Sequence, residues 1–130
     1  MSFENTQTGT AGSCDGVPQA RTVTPITGQG TWTATRRGPS SFELVAQYES
    51  GARLTGELNP ESHDVRLDSS PNTAGALTMR STSVLQLNED FTKASGTAQL
   101  VVTKSNGDIC TVGYGLSVRL ADPLLPEDAR

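Results

Sequence analysis

The chain is poor in the residue types from which most active sites and metal centres are built. Histidine and tryptophan each occur once and cysteine twice in 130 residues, and aromatic residues amount to only 5%. Cys14 and Cys110 form no CxxC pair and have no companion histidines at ligand spacing, which excludes a zinc site. No stretch approaches the roughly 18 apolar residues of a membrane span. The formal net charge is −4, and the ten Lys and Arg residues are scattered apart from Arg36-Arg37. Nucleic acid is held by clustered positive charge, so this balance argues against a nucleic-acid partner. Every Gly-rich segment leads into a strand rather than a helix N-terminus, so there is no phosphate-binding loop, and no cofactor is implied.

Abundant Thr, Ser and Gly remain, with Gly, Pro and Asn punctuation at short intervals and almost no helical periodicity. That is the pattern of successive antiparallel strands. The length fits a single domain able to bury about two-thirds of its unfolded surface. Residues 1–20 read as a flexible arm, 21–121 as the β domain and 122–130 as a tail. The tail carries two prolines and reads as a surface loop, with Leu124-Leu125 packing down as a plug the other reading.

Strand register follows from asking which loop length keeps apolar residues on one face, since a one-residue slip turns every side chain over. In SFELVAQYESGARLTGEL (41–58), a three-residue loop Ser50-Gly51-Ala52 pairs Tyr48 with Leu54, Ala46 with Gly56 and Leu44 with Leu58, and Gly51 can take the left-handed conformation such a loop needs. A four-residue loop, Pro60 to His63, then sets Leu58 against Val65 and Gly56 against Leu67. A five-residue loop, Arg37 to Ser41, pairs Arg36 with Phe42, Ala34 with Leu44 and Trp32 with Ala46. In the C-terminal half, Asn106-Gly107 suits a two-residue hairpin turn, which sets Thr103 against Cys110, Val101 against Val112 and Gln99 against Tyr114. Both faces of that hairpin are partly apolar, so its inward face stays open. Between the halves, ALTMRSTSVLQLNED (76–90) reads as one long strand, with Leu77, Met79, Leu85 and Leu87 on one side and Ser81 and Ser83 between them.

An antiparallel meander exposes two edges unless it closes on itself, and about eight strands close around side chains or one small ligand. The expected fold is therefore all-β, a small up-and-down β-barrel of seven or eight strands, with a β-sandwich as the alternative. As a disulfide, Cys14–Cys110 would close a loop of nearly the whole chain, worth about 4–5 kcal/mol in the loop-entropy model. The N-terminus MSFENTQTGTAGSC has neither a charged n-region nor an apolar h-region, so it carries no signal peptide as it stands. A disulfide would imply a secreted or periplasmic protein whose signal Met1 replaces, and free thiols a cytoplasmic one.

Gly30-Thr31-Trp32, opening the first well-formed strand, resembles the G-x-W signature of the calycin group, lipocalins and avidins among them. The resemblance implies an eight-stranded barrel around a small apolar ligand, with Trp32 packed across a closed end beneath an arginine of the last strand, here Arg119. The chain is short for a lipocalin, lacks the C-terminal helix, and lacks the further tryptophans of an avidin pocket. The other reading of Trp32 is a core anchor.

Candidate ligand-binding residues on the expected interior face are Trp32, Arg36, Phe42, Tyr48, Met79, Tyr114 and Arg119. Arg36 is the most informative, because a guanidinium on an apolar face must reach the rim, pair with a carboxylate or meet a ligand. His63, in the turn NPESHD beside Ser62, Glu61 and Asp64, reads as a solvated turn residue, because nucleophilic triads assemble from different parts of a fold. Asn88-Glu89-Asp90 and Asp64 with Asp68 do not match the spaced ligands of a calcium loop. Three functions follow. The first is a binding barrel for a small hydrophobic or carbonyl-containing molecule, as monomer or homo-oligomer. The second is a cyclase or isomerase in which Tyr48, Tyr114 or Arg36 polarises a carbonyl. The third is a filled structural or protein-binding module.

Overall fold

Short alternating segments joined by tight turns pair with their sequence neighbours, and here that pairing runs until the sheet meets itself. The computed structural model describes residues 1–21 and 25–130. Nine antiparallel strands form one sheet: β1 (Ser2–Gly12), β2 (Ile26–Arg36), β3 (Phe42–Tyr48), β4 (Arg53–Leu58), β5 (Asp64–Ser69), β6 (Asn72–Ala74), β7 (Leu77–Leu87), β8 (Lys93–Lys104) and β9 (Ile109–Arg119). Their order is β5-β4-β3-β2-β1-β9-β8-β7-β6, and a further β5–β7 pairing closes eight of them into a ring. One closed sheet replaces the alternative of two packed sheets. No helix among the described residues is long and apolar enough to cross a membrane.

The β2–β3 and β4–β5 registers are the expected ones: Trp32 faces Ala46, Arg36 faces Phe42, Leu58 faces Val65 and Gly56 faces Leu67. The β3–β4 register is displaced by two residues, with Ala46 opposite Leu54 and Phe42 opposite Leu58. Its loop is Glu49-Ser50-Gly51, closed by Tyr48 N–H donating to Ala52 O at 2.9 Å. Gly51 takes φ +94° at the third loop position. A shift of two keeps every side chain on its own face.

The β8–β9 hairpin departs by one residue, which matters more. Lys104 N–H donates to Asp108 O at 2.8 Å around a three-residue loop, Ser105-Asn106-Gly107, with Gly107 at φ +91°. Asn-Gly therefore closes a bulged turn rather than the two-residue one. Val102 now faces Cys110, Leu100 faces Val112 and Ala98 faces Tyr114. The slip gathers the apolar residues of both strands on the inner face and settles the orientation that the pattern leaves open.

Residues 1–20, expected as an arm, contribute β1 and a 3-10 turn at Pro18–Arg21. β1 lies between β2 and β9 and points Phe3, Asn5 and Gln7 inward. Beyond Gly12 the chain crosses the inner face of the extended β7–β8–β9 sheet. There the fully buried Val17 packs with Val102, Cys110 and Val112. The Cys14–Cys110 disulfide is formed and spans 96 residues. Residues 22–24, assigned from sequence to the start of the β domain, lie outside the described residues.

The opposite end is sealed by the tail, which is a plug rather than a surface loop. Leu125 and Phe91 are buried in the main core, and Leu124 N–H donates to Phe91 O at 2.8 Å. Phe91 sits at φ +59°, a left-handed conformation costing about 1–3 kcal/mol for a non-glycine residue. The Asn88 Oδ1 atom holds it there by accepting from Thr92 N–H at 2.9 Å and Lys93 N–H at 3.1 Å.

Closing so small a ring forces strands together at inward-facing glycines. A Cβ on Gly30, Gly56 or Gly96 would run into the carbonyl oxygen of Gln47, Arg66 or Val84 of the neighbouring strand. Gly56→Ala therefore forces the β4–β5 backbones apart, and we expect a loss of about 1–3 kcal/mol. Urea unfolding checks this, and Gly51→Ala tests a different mechanism, a left-handed turn position with open space around it.

Candidate functional site

β5 and β6 run consecutively but share β7 unequally. Asp64–Asp68 pair with Thr82–Gln86, and Asn72–Ala74 pair with Leu77–Met79. At the bend between them, Ser69 to Pro71, the ladder is interrupted, and Ser69 Oγ instead accepts from Ser81 N–H at 2.8 Å. The wall of the ring parts at this bend.

Behind the parting lies a cavity of about 790 Å³. Its inner walls carry Phe3, Leu54, Leu100 and Leu116 together with Tyr48, Met79 and Tyr114. Polar lining comes from Asn5, Ser69, Ser81 and Ser83, with Ser83 only 4% exposed. Arg53, Asp68 and Arg80 reach the lining although strand alternation turns them outward, which marks the mouth. A groove of similar volume lies across β2, β1, β9, β8 and β7, lined by Glu4, Gln29, Lys93 and Arg119 among others. Both are partly open to solvent, but no tyrosine borders the groove and its lining is less apolar, so the cavity holding Tyr48 and Tyr114 is the better candidate.

The structure divides the seven sequence candidates. Tyr48, Met79 and Tyr114 line the cavity. Trp32 and Phe42 are buried in the adjoining core and do not reach it. Arg36 is exposed at the plugged end, its guanidinium 4.9 Å above the Phe42 ring and donating to Pro39 O at 3.2 Å. Arg119 is exposed on the outer face, because the inward residue at the end of β9 is Val118, so it does not lie beneath Trp32. His63 is not solvated alone: its Nδ1 is 3.1 Å from Asn88 O and its ring tilts over Phe91 at 4.6 Å. Sequence pattern misses Phe3 and Asn5, because the segment holding them shows one apolar residue followed by polar ones at the inward positions.

Hydrogen bonding in the interior is incomplete on the protein side. Gln7 Nε2 donates to Ala20 O at 3.0 Å, and Gln19 Nε2 approaches Met79 Sδ at 3.2 Å. The buried oxygens Asn5 Oδ1, Gln7 Oε1 and Gln19 Oε1 have no partner among the described residues. Buried acceptors of this kind are normally satisfied, so they mark where a donor fits. At the mouth, Asp68 accepts from Thr82 Oγ1 at 2.9 Å and pairs with Arg66 Nε at 3.2 Å. The Thr82 hydroxyl, then Arg66, hold its carboxyl below the usual carboxylate range despite some desolvation.

Both tyrosines are pushed up by burial, and for Tyr48 the nearby Trp32 side chain partly offsets the rise without a well-formed hydrogen bond. Their hydroxyls stay protonated donors across the physiological range. Because the folded values lie above the unfolded one, the stability they contribute is complete below about pH 10 and is lost as pH rises through the folded values. As these are the chain's only two tyrosines, phenolate absorbance of the folded protein is expected to appear at higher pH than in urea. Coincident titrations would show that the two rings are solvated.

Comparison of the chain with family models, with curated proteins and with solved structures finds no match.

Proposed function

We propose that the protein binds a small molecule with an apolar body and a carbonyl or hydroxyl group inside the closed sheet. The observation that carries this reading is the cavity of about 790 Å³, within the range of small-molecule sites, in which apolar and aromatic walls surround a few polar groups. Tyr48 supplies a donor for a ligand oxygen and Asn5 Oδ1 an unpaired acceptor, while the Tyr114 hydroxyl, which donates to Gln19 O at 3.4 Å, serves a ligand only by exchanging that partner. A filled structural module would leave no such space. Of the resemblance to the calycin group, the buried Trp32 beside the site agrees with this reading, whereas Gly30-Thr31-Trp32 lies within the second strand rather than opening the first and Arg119 is not beneath Trp32. The Cys14–Cys110 bridge favours an oxidising compartment, secreted or periplasmic.

The neutral dye Nile red tests the reading. Its fluorescence is expected to rise on binding, and Ser83→Phe, which fills the cavity, is expected to weaken binding by about tenfold or more. Ala98→Leu fills the same space from the strand facing Ser83, should Ser83→Phe fail to fold. Arg36→Gln and Arg119→Gln, away from the cavity, are expected to leave binding unchanged. Failure of the wild type to bind, or equal binding by the filled variants, would overturn the proposal.

The two cavity tyrosines favour one second reading, a cyclase or isomerase in which a neutral phenol polarises a substrate carbonyl without any nucleophile. Arg36 has no part in it, since it lies at the plugged end. Under this reading Tyr114→Phe abolishes turnover. Under the binding reading it changes ligand affinity by only about the worth of one hydrogen bond, roughly 0.5–1.5 kcal/mol, which calorimetry distinguishes.

A further inference from the structure

Charge at the cavity mouth runs opposite to charge on the chain as a whole. The protein carries a formal −4, yet the charged side chains in the cavity lining are Arg53, Arg80 and Asp68. Asp68 is already engaged, by a hydrogen bond from Thr82 and an ion pair with the outward-facing Arg66, and it also feels the Arg80 charge without a direct ion pair to it. Arg53 and Arg80 make neither an ion pair nor a side-chain hydrogen bond among the described residues. The lining thus holds two guanidinium groups against one carboxylate, and that carboxylate is paired with Arg66, which stands outside the lining.

Register fixes where the two unpaired arginines stand. Leu54 pairs with Ser69, so Arg53 lies next to the start of the Ser69–Pro71 bend on the β4 side. Ser81 N–H binds Ser69 Oγ, so Arg80 flanks the same bend on the β7 side. Burial then grades the site from outside in. The two arginines are exposed, Ser69 and Ser81 are half-buried, and Ser83, Leu54 and Leu116 are buried. Charge, hydroxyl and hydrocarbon follow one another along a single path.

Resting on the small-molecule reading above, we infer that the ligand is an amphipathic monocarboxylate, its acid group held between Arg53 and Arg80 at the mouth and its apolar body among Phe3, Leu54, Leu100 and Leu116. Guanidinium is the side chain whose planar fork matches a carboxylate, and at a partly exposed mouth it selects the anion while the hydrocarbon walls supply most of the affinity. A neutral or cationic amphiphile of the same length gains nothing from these two groups.

Dodecanoate and dodecanol, identical in tail and differing in head, test this by displacement of Nile red at neutral pH and below micelle-forming concentrations. In low salt the acid is expected to bind about tenfold more tightly than the alcohol, and the ratio is expected to shrink in high salt as the mouth is screened. Arg53→Gln and Arg80→Gln each are expected to reduce dodecanoate affinity by about threefold to tenfold without altering dodecanol binding, and together to bring the ratio near one. Equal binding of acid and alcohol by the wild type overturns the carboxylate assignment and leaves the cavity as a neutral-ligand site. Binding of neither by folded protein overturns the small-molecule reading and this inference together.

Discussion

The pairing of β5 with β7 is the contact on which the rest of the molecule depends. Five residue pairs, Asp64 with Gln86 through Asp68 with Thr82, turn a meander with two free edges into a ring. A free edge would present unpaired N–H and C=O groups along its length, and among the described residues what is left at the border is the short β6, β1 beyond Asn5 and β2 beyond Gly30. The same pairing fixes which way Val65, Leu67, Ser83 and Leu85 point. A slip of one residue would place Arg66 and Val84 inside and turn that part of the core out to solvent.

Closure also explains why the cavity opens where it does. β7 has eleven residues while β5 has six, so one partner cannot cover it. The chain bends at Ser69–Pro71 and resumes pairing as β6, leaving a break with no ladder hydrogen bonds and a proline that could not donate one. The two ends of the ring are sealed differently. At one, Phe91 and Leu125 fill the opening, and burying the Phe91 ring, worth about 1.5–3 kcal/mol, offsets left-handed strain of similar size. At the other, strands β7 to β9 and β1 run beyond their neighbours, and the segment through Val17, tied by Cys14–Cys110, covers the apolar face they expose. What remains unsealed is the side wall at the bend together with the adjoining rim at Ile26 and the β3–β4 turn, Ser50 to Ala52.

Much of this was legible in the sequence where side-chain chemistry alternates cleanly. Trp32, Ala34, Phe42, Leu44, Leu58, Val65 and Leu67 give two registers without error because each, apart from Leu44 beside Val45, has polar neighbours on both sides. The Asn106-Gly107 hairpin is misjudged by one residue because the same dipeptide serves a two-residue turn and a three-residue bulged one, and flanking strands with apolar residues on both faces do not arbitrate. β1 is missed because its inward positions after Phe3 are Asn5 and Gln7, so it carries no apolar period. The site follows the same division. Tyr48 and Met79 are found from the inward face, whereas on β9, whose inward face the pattern leaves open, Tyr114 and Arg119 lie on opposite faces and only Tyr114 turns inward. Arg53 and Arg80 are invisible from alternation, since they border the cavity only because the wall breaks beside them.

A small closed sheet obtains a polar entrance to an apolar interior where its ladder breaks. Alternation alone separates the two: inward residues meet the core, outward residues meet water, and no outward charge reaches the inside. A break in the ladder removes the separation locally, so Arg80 and Asp68, outward by register, border the same space as Ser81 and Ser83, inward by register. The small residues at that level enlarge the space rather than merely suiting a taper, because Ser83 faces Ala98 across the β7–β8 pair and neither fills the volume beside it. Larger side chains there would add core contacts and stability, so the small residues at this level give up packing that the closed sheet has room for.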